Sequence, residues 1–371
     1  MSERYFNDFS PDNVIKADIE SDRIFDIRDS KWAHPDLRDK WDMSSAAGTA
    51  VLYSPDIPKE EKAVISAKLD EATRSYMADA ISVATESNCE SEDYTISGCP
   101  EEPDAATVIR VTRKKNKKTK KSRVLFYIMG GALVSRDPDI QPFEQYCEKF
   151  NCVTVSVLFR RSWEAPYPAA VNDLHAGYKW VVDNAEMLGV DPEKIVLHGH
   201  SSGGHLATAL AFRLKRYGYR PRGVVAVLPQ TDDRFGDGCA SHIYNGAWDA
   251  VSQKYALAQY MGKNSDSSLI GPEALANHAT VKDCIGYPPL FLHAAELDPD
   301  RDFNRAFYGK VLEAKSFAEY HCWGGSDHGC IVLGGSPYAD RFCALVDANV
   351  EDCFQYDLRR PWVEEESKPS Q

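Results

Sequence analysis

One serine in this chain stands where a serine can become a nucleophile. Gly199-His200-Ser201-Ser202-Gly203-Gly204 follows the apolar run KIVLH and opens the helical stretch HLATALAFRLKRY. A G-x-S-x-G pentapeptide says little alone, because Gly and Ser are common. At a strand-to-helix turn it describes a sharp reversal that leaves the serine hydroxyl exposed at the sheet edge, at the positive end of the helix that follows. Side chains at Gly199 and Gly203 would collide with neighbouring backbone. Ser202 occupies the wrong place in the pentapeptide. A glycine-rich helix start that binds phosphate is the plainer alternative.

A serine hydroxyl attacks poorly unless a base takes its proton. His328 lies in Trp323-Gly-Gly-Ser-Asp-His-Gly329, a glycine-rich turn directly after the strand-like FAEYHCW, a setting the other nine histidines lack. His198 reads as strand interior, His200 as part of the turn, and His205 as a packing or capping residue. An H-x-H metal pair at 198 and 200 has no third ligand near it in sequence, so no metal site is expected. A carboxylate must fix the base's tautomer. Asp298, in Glu296-Leu-Asp-Pro-Asp-Arg-Asp302, follows the strand PLFLHAAE at the right end. Asp300 and Asp302 are its rivals, and capping of the helix that begins after Pro299 explains both. Acyl transfer also needs donors for a developing oxyanion. The amides of Gly130 and Gly131, in Met129-Gly130-Gly131-Ala132 after the strand VLFYI, can converge with that of Ser202.

The elements that must hold these residues follow from patterning. Short apolar runs at 107–111, 124–129, 153–158, 195–198, 224–228, 290–294 and 318–322 alternate with helical stretches at about 169–188, 203–217, 301–314 and 337–354. Near-continuous apolar strands between helices predict a mostly parallel sheet covered on both faces, whose sites lie at the carboxyl ends of the strands. Residues 1 to about 90 read as polar and helical, best over 57–85, where Val64, Ile65, Leu69, Ala72, Tyr76 and Ala80 recur at three- to four-residue steps. The stretch 231–287 carries few strand signals.

Composition excludes several classes. A formal net charge of −13 argues against nucleic acid or an anionic membrane as main partner. The basic run Arg113–Lys121 reads as a solvated connection between strands. No apolar stretch approaches the roughly 18 residues a membrane span needs, and MSERYFNDFSPDN lacks a signal-peptide core, so a cytoplasmic protein is expected. The ten cysteines are irregularly spaced and include no C-x-x-C pair, which predicts reduced and mostly buried thiols.

Several ordered blocks together resemble the hormone-sensitive-lipase family of carboxylesterases, in its bacterial esterase branch. Met129-Gly130-Gly131-Ala132 is similar to the family's His-Gly-Gly-Gly motif. The segment from Phe159 through Pro166 and Pro168 is similar to its Tyr-Arg-x-Ala-Pro-Glu-x-Pro-Phe-Pro-Ala segment, and Gly199–Gly204 to Gly-Asp-Ser-Ala-Gly-Gly. Asp298-Pro-x-Arg-Asp302 and Asp327-His328-Gly329 complete the set. The resemblance implies an α/β-hydrolase fold with a helical cap formed by residues 1–90 and an insertion at about 231–285, the core being 91–371. It implies a serine carboxylesterase that acts on small to medium esters without cofactor or metal, with Ser201, Asp298 and His328 as triad and Gly130, Gly131 and Ser202 around the oxyanion. It leaves a homodimer open. Met129 and Ala132 depart from the oxyanion motif, and Trp163 and Glu164 from the Ala-Pro-Glu element. Trp248, Tyr244, Tyr255 and Tyr260 in the insertion are read as core before pocket lining. A serine exopeptidase and a non-catalytic small-ligand receptor are the rival functions.

Overall fold

The computed structural model describes residues 25–26, 33–38, 57–82, 88–115, 121–234, 243–244, 248–262, 270–329 and 335–360. Ten strands lie among them: β1 (Phe25–Asp26), β2 (Cys89–Ser97), β3 (Ala106–Lys114), β4 (Ser122–Ile128), β5 (Val153–Val157), β6 (Val190–His200), β7 (Gly223–Val227), β8 (Ile243–Tyr244), β9 (Leu290–Ala295) and β10 (Ala318–Trp323). The helices are α1 (Lys59–Ser82), α2 (Phe143–Lys149), α3 (Ala169–Asp183), α4 (Ala185–Leu188), α5 (Ser202–Arg216), α6 (Ala250–Met261), α7 (Arg301–Glu313) and α8 (Pro337–Gln355).

Eight strands form one sheet in the order β10-β9-β7-β6-β4-β5-β3-β2. From β5 to β10 every neighbouring pair is parallel, and β3 and β2 close one side as antiparallel strands. The two-residue strands β1 and β8 pair in parallel with each other, joining the N-terminal segment to the insertion.

Alternation along buried strands divides the core into two layers. Val124, Phe126 and Ile128 of β4, with Ile195 and Leu197 of β6, pack into the layer that holds Leu174, Leu206, Leu210 and Phe307. Leu125 and Val196, one residue out of phase, pack with Phe150, Phe342, Val346 and Val350. Helices α3, α5 and α7 thus cover one face while α8 covers the other, as the continuous apolar runs require. Helix α8 begins where Ser336 Oγ accepts the Ala339 amide at 3.3 Å, with Pro337 at the first helical position.

The predicted strands and long helices lie where the patterning put them, with shifts of a few residues at their ends. Strand β2 is the exception. Most of it is exposed (only Cys89 and Ile96 are buried), so CESEDYTIS carries no apolar signal to read. Helix α1 also exists; of its expected apolar face Ile65 packs half-buried by Val134 and Trp163, and the side chains of Leu69, Ala72, Tyr76 and Ala80 lie outside the described residues. Val64 is 54% exposed, whereas Lys62, Ser66 and Asp70, spaced four apart, turn inward. Ser66 meets the Val134 carbonyl there, and Asp70 the Ser135 hydroxyl. The basic connection joins β3 to β4, and residues 116–120 of it lie outside the described residues. Cys99, Cys147, Cys152, Cys284 and Cys353 are free and buried.

Candidate active site

The elbow between β6 and α5 is set by steric exclusion. Ser201 sits at φ 55°, ψ −126°, a backbone conformation that costs L-residues on the order of 1–3 kcal/mol and survives only when its surroundings impose it. They do so here. A Cβ on Gly203 would lie 2.1 Å from the carbonyl oxygen of Ile128, and one on Gly199 would lie 2.5 Å from the carbonyl of Gly203. The Ser201 amide donates to Val227 O at 2.8 Å, and its carbonyl accepts from the His205 amide at 2.9 Å, pinning the turn from both sides.

Three side chains far apart in sequence meet at this turn. Ser201 Oγ lies 2.8 Å from His328 Nε2, and His328 Nδ1 lies 2.6 Å from Asp298 Oδ2. The second oxygen of Asp298 accepts the Asp300 amide at 2.8 Å. Asp298 is 1% exposed, so its carboxylate has two directed partners and little water. The turn that carries His328 is fixed through its neighbours: the Leu297 amide donates to Ser326 O at 2.9 Å, and the Gly329 amide to Asp327 Oδ1 at 3.0 Å. From the N-terminal segment, the His34 amide donates to Gly325 O at 2.7 Å, while the His34 ring stacks on Tyr338.

The loop after β4 closes over the elbow. A Cβ on Gly130 would stand 2.8 Å from His200 O and 3.8 Å from Ser201 Cβ, so the two backbones are in contact. The loop then turns through three consecutive positive-φ residues: Gly131 at 123°, Ala132 at 54° and Leu133 at 65°. The Gly131 carbonyl accepts from the amides of Val134 and Ser135 at 3.0 and 2.9 Å, and no acceptor among the described residues takes the amides of Gly130 or Gly131. The Ser202 amide belongs to the first turn of α5, whose N–H groups have no intrahelical acceptor. Sequence reasoning missed what holds this loop. Ser66 Oγ and Trp163 Nε1 both donate to Val134 O at 3.1 Å, the Ser135 hydroxyl bonds the Asp70 carboxylate, and the Ser162 amide donates to Leu133 O at 2.8 Å. Trp163, a departure from the family segment, is therefore a brace. No local motif marks Ser66 or Asp70, whose polarity reads as an outer helix face.

His198, His205 and His293 are buried and serve packing. His198 Nδ1 bonds Val225 O at 2.9 Å and His205 Nε2 bonds Ala274 O at 2.7 Å. Burial lowers both to about 4 and His293 to about 3, so all three are neutral near pH 7. His200 is likewise pushed well down, by burial first and then by His198, His293 and His328. One expectation about the acidic stretch needs correction. Asp300 stands at the N-cap of α7 yet makes no side-chain cap bond. Its carboxyl turns instead to Gln253 Nε2 at 2.5 Å, because the cap position faces α6 and not solvent. Asp302 stands in the first turn of α7, where the helix start suits its charge, and pairs with Arg301 at 3.1 Å. Trp248 and Tyr260 are buried as expected, Tyr260 against His205 and Tyr167. The side chain of Tyr244 lies outside the described residues.

A strand–elbow–helix with this triad on a mostly parallel sheet defines an α/β hydrolase, and the family model described as alpha/beta hydrolase fold matches residues 125–332. The chain belongs to that family. Among its relatives are the esterase LipI of Mycobacterium tuberculosis, 28% identical over 194 residues, and the carboxylesterase NlhH of the same organism, 30% identical over 169 residues. These alignments take in 52% and 44% of this chain and 60% and 51% of the relatives, so the chain spans little more than half of their length. The fold also superposes on a bacterial heroin esterase, with TM-score 0.73, 21% identity, and coverage of 88% of this chain and 99% of that one. An esterase of the fungus Rhizomucor miehei gives TM-score 0.70 at 23% identity, covering 87% and 98%. Among the described residues, no helix is long and apolar enough to cross a membrane.

Proposed function

We propose that the protein is a serine carboxylesterase that hydrolyses small to medium carboxylic esters through an acyl-enzyme. The observation that carries this is the unbroken bond chain from Ser201 Oγ through the His328 ring to Asp298, at 2.8 and 2.6 Å. As Ser201 Oγ bonds to the ester carbonyl carbon, its proton passes to His328 Nε2. Asp298 holds Nδ1–H and steadies the imidazolium. The carbonyl oxygen, now anionic, accepts from the amides of Gly130, Gly131 and Ser202. Each such donor is worth roughly 3–4 kcal/mol of transition-state stabilisation. Collapse expels the alcohol, which takes the proton from Nε2, and water repeats the sequence to release the acid. Every step uses protein groups alone, in keeping with a reaction that takes no cofactor.

Residues 1–90 and about 231–285, which contribute α1 and α6, form the cap over this site in our reading. Buried free thiols fit a cytoplasmic setting, and the net charge of −13 opposes a nucleic-acid partner. Ser201→Ala tests the assignment. Turnover of p-nitrophenyl acetate should fall by about 10⁴-fold or more, and a fluorophosphonate should label the wild-type serine and not the variant, with melting temperature unchanged. Retained turnover in Ser201→Ala overturns the reading.

A further inference from the structure

Helix α6 reaches the triad by a route of its own. The Trp248 ring, just before α6, lies 5.7 Å from the His328 ring, centroid to centroid, at 32°. Its Nε1–H donates to Gln253 Oε1 at 3.0 Å. An indole nitrogen can only donate, so this bond fixes the orientation of the Gln253 amide and leaves Nε2–H₂ to donate onward. It does so to Asp300 Oδ1 at 2.5 Å. The Asp300 backbone amide in turn holds Asp298 Oδ1 at 2.8 Å, and Asp298 holds His328. The bonds and the ring contact close on themselves: Trp248, Gln253, Asp300, Asp298, His328 and back to Trp248. Gln253 and Asp300 are fully buried and Trp248 is 3% exposed, so water does not compete for these bonds.

We infer that Trp248, Gln253 and Asp300 are positioning residues that make assembly of the triad conditional on the seating of α6. The inference rests on the esterase reading of the same triad. The chemistry of Asp300 fits a relay. Burial, and then the Asp298 and Asp232 carboxylates, push its carboxyl well above the usual range. Its Oδ1 holds Gln253 while its backbone amide holds the triad aspartate. Lifting α6 away would expose this carboxyl, free one face of the imidazole and loosen the loop that aims Asp298.

The experiment compares wild type with Trp248→Phe, Gln253→Leu, Asp300→Leu, Asp300→Asn and the Gln253→Leu/Asp300→Leu pair on p-nitrophenyl acetate. Rates are normalised to the folded fraction. Breaking the relay should lower kcat and the rate of fluorophosphonate labelling together by about tenfold or more, as small displacements of reacting groups do, with KM for acetyl ester little changed. Asp300→Asn, a neutral isostere, should restore most of the loss in Asp300→Leu. The double variant should be no worse than the poorer single, because one relay is broken only once. Labelling of the variants as fast as wild type overturns the inference, as do single losses that multiply in the pair. Trp248→Phe keeps the ring in place and carries the test should Asp300→Leu fail to fold. Absence of labelling in the wild type defeats the esterase reading, and the inference with it.

Discussion

The elbow at Ser201 and the loop at Gly130–Ser135 touch, and both bend through backbone conformations that L-residues avoid, yet they are held in opposite ways. The elbow is held by what is missing: no Cβ fits at Gly199 or Gly203, and strand β7 and helix α5 fix the rest through backbone bonds. The loop is held by what is supplied from afar. Ser66 and Asp70 of α1 and Trp163 of the segment before α3 grip Val134 and Ser135. A turn imposed by local steric exclusion is robust and visible in five residues. One imposed by distant side chains is tunable and has no local mark. Ser201 thus has a fixed mount, while the loop beside it rests on side chains of α1 and of the segment before α3.

This contrast breaks if the elbow tolerates a side chain. Gly203→Ala places a methyl against the Ile128 carbonyl, 2.1 Å away before any shift. The clash is with backbone in a buried strand, so stability should fall by about 3 kcal/mol or more, read as a lower urea midpoint or loss of soluble protein. Asp70→Ala should act on the loop and spare the elbow. Losing the Ser135 bond should cost about 1–2 kcal/mol of stability. It should also lower kcat several-fold, while fluorophosphonate labelling confirms that Ser201 stays addressable. An Asp70→Ala enzyme with unchanged kcat would show that the loop needs no brace.

Acid should attack the elbow side first. His198 on β6 and His205 on α5 have folded values near 4, below the roughly 6.5 of an unfolded histidine. The unfolded chain therefore binds more protons between those values. Stability from these groups is fully present above about pH 6.5 and declines as pH falls toward 4, by about 2 kcal/mol per histidine at pH 5. Urea midpoints measured from pH 7.5 to 5 should drop, and His205→Gln should flatten the slope. The smallest expected effect is at Ala132, whose φ of 54° costs an alanine what a glycine is spared. Ala132→Gly should raise stability by about 0.5–1 kcal/mol, measured as a rise in melting temperature, and leave Ser201 labelling unaltered.

The legibility of the chain follows the same division. The mostly parallel sheet, its two-sided cover and the meeting of Ser201, His328 and Asp298 rest on short-range patterns: apolar runs at 124–128, 195–198 and 290–295, glycines at fixed offsets, and loops directly after strands. Those were readable. Strand β2 was not, because an edge strand half in water alternates weakly. The inward turn of Ser66 and Asp70 on α1 was not, because they meet the Val134 carbonyl and the Ser135 hydroxyl and break the rule that buried means apolar. Asp300 was read as a cap from its position before a helix. Its true partner, Gln253, lies across a tertiary contact that sequence distance conceals.

Strand β2 has one more effect, on what can stick to this molecule. It closes the sheet with Glu90, Glu92 and Asp93 exposed along nine residues; on the neighbouring strand Arg110 pairs with Asp93 and Arg113 with Glu92. An incoming polypeptide seeking the open hydrogen-bonding groups on that border would have to settle among carboxylates. Each copy added in the same register would bring three more. Fibrous accretion from this border is thereby penalised by the very composition that hid the strand from view.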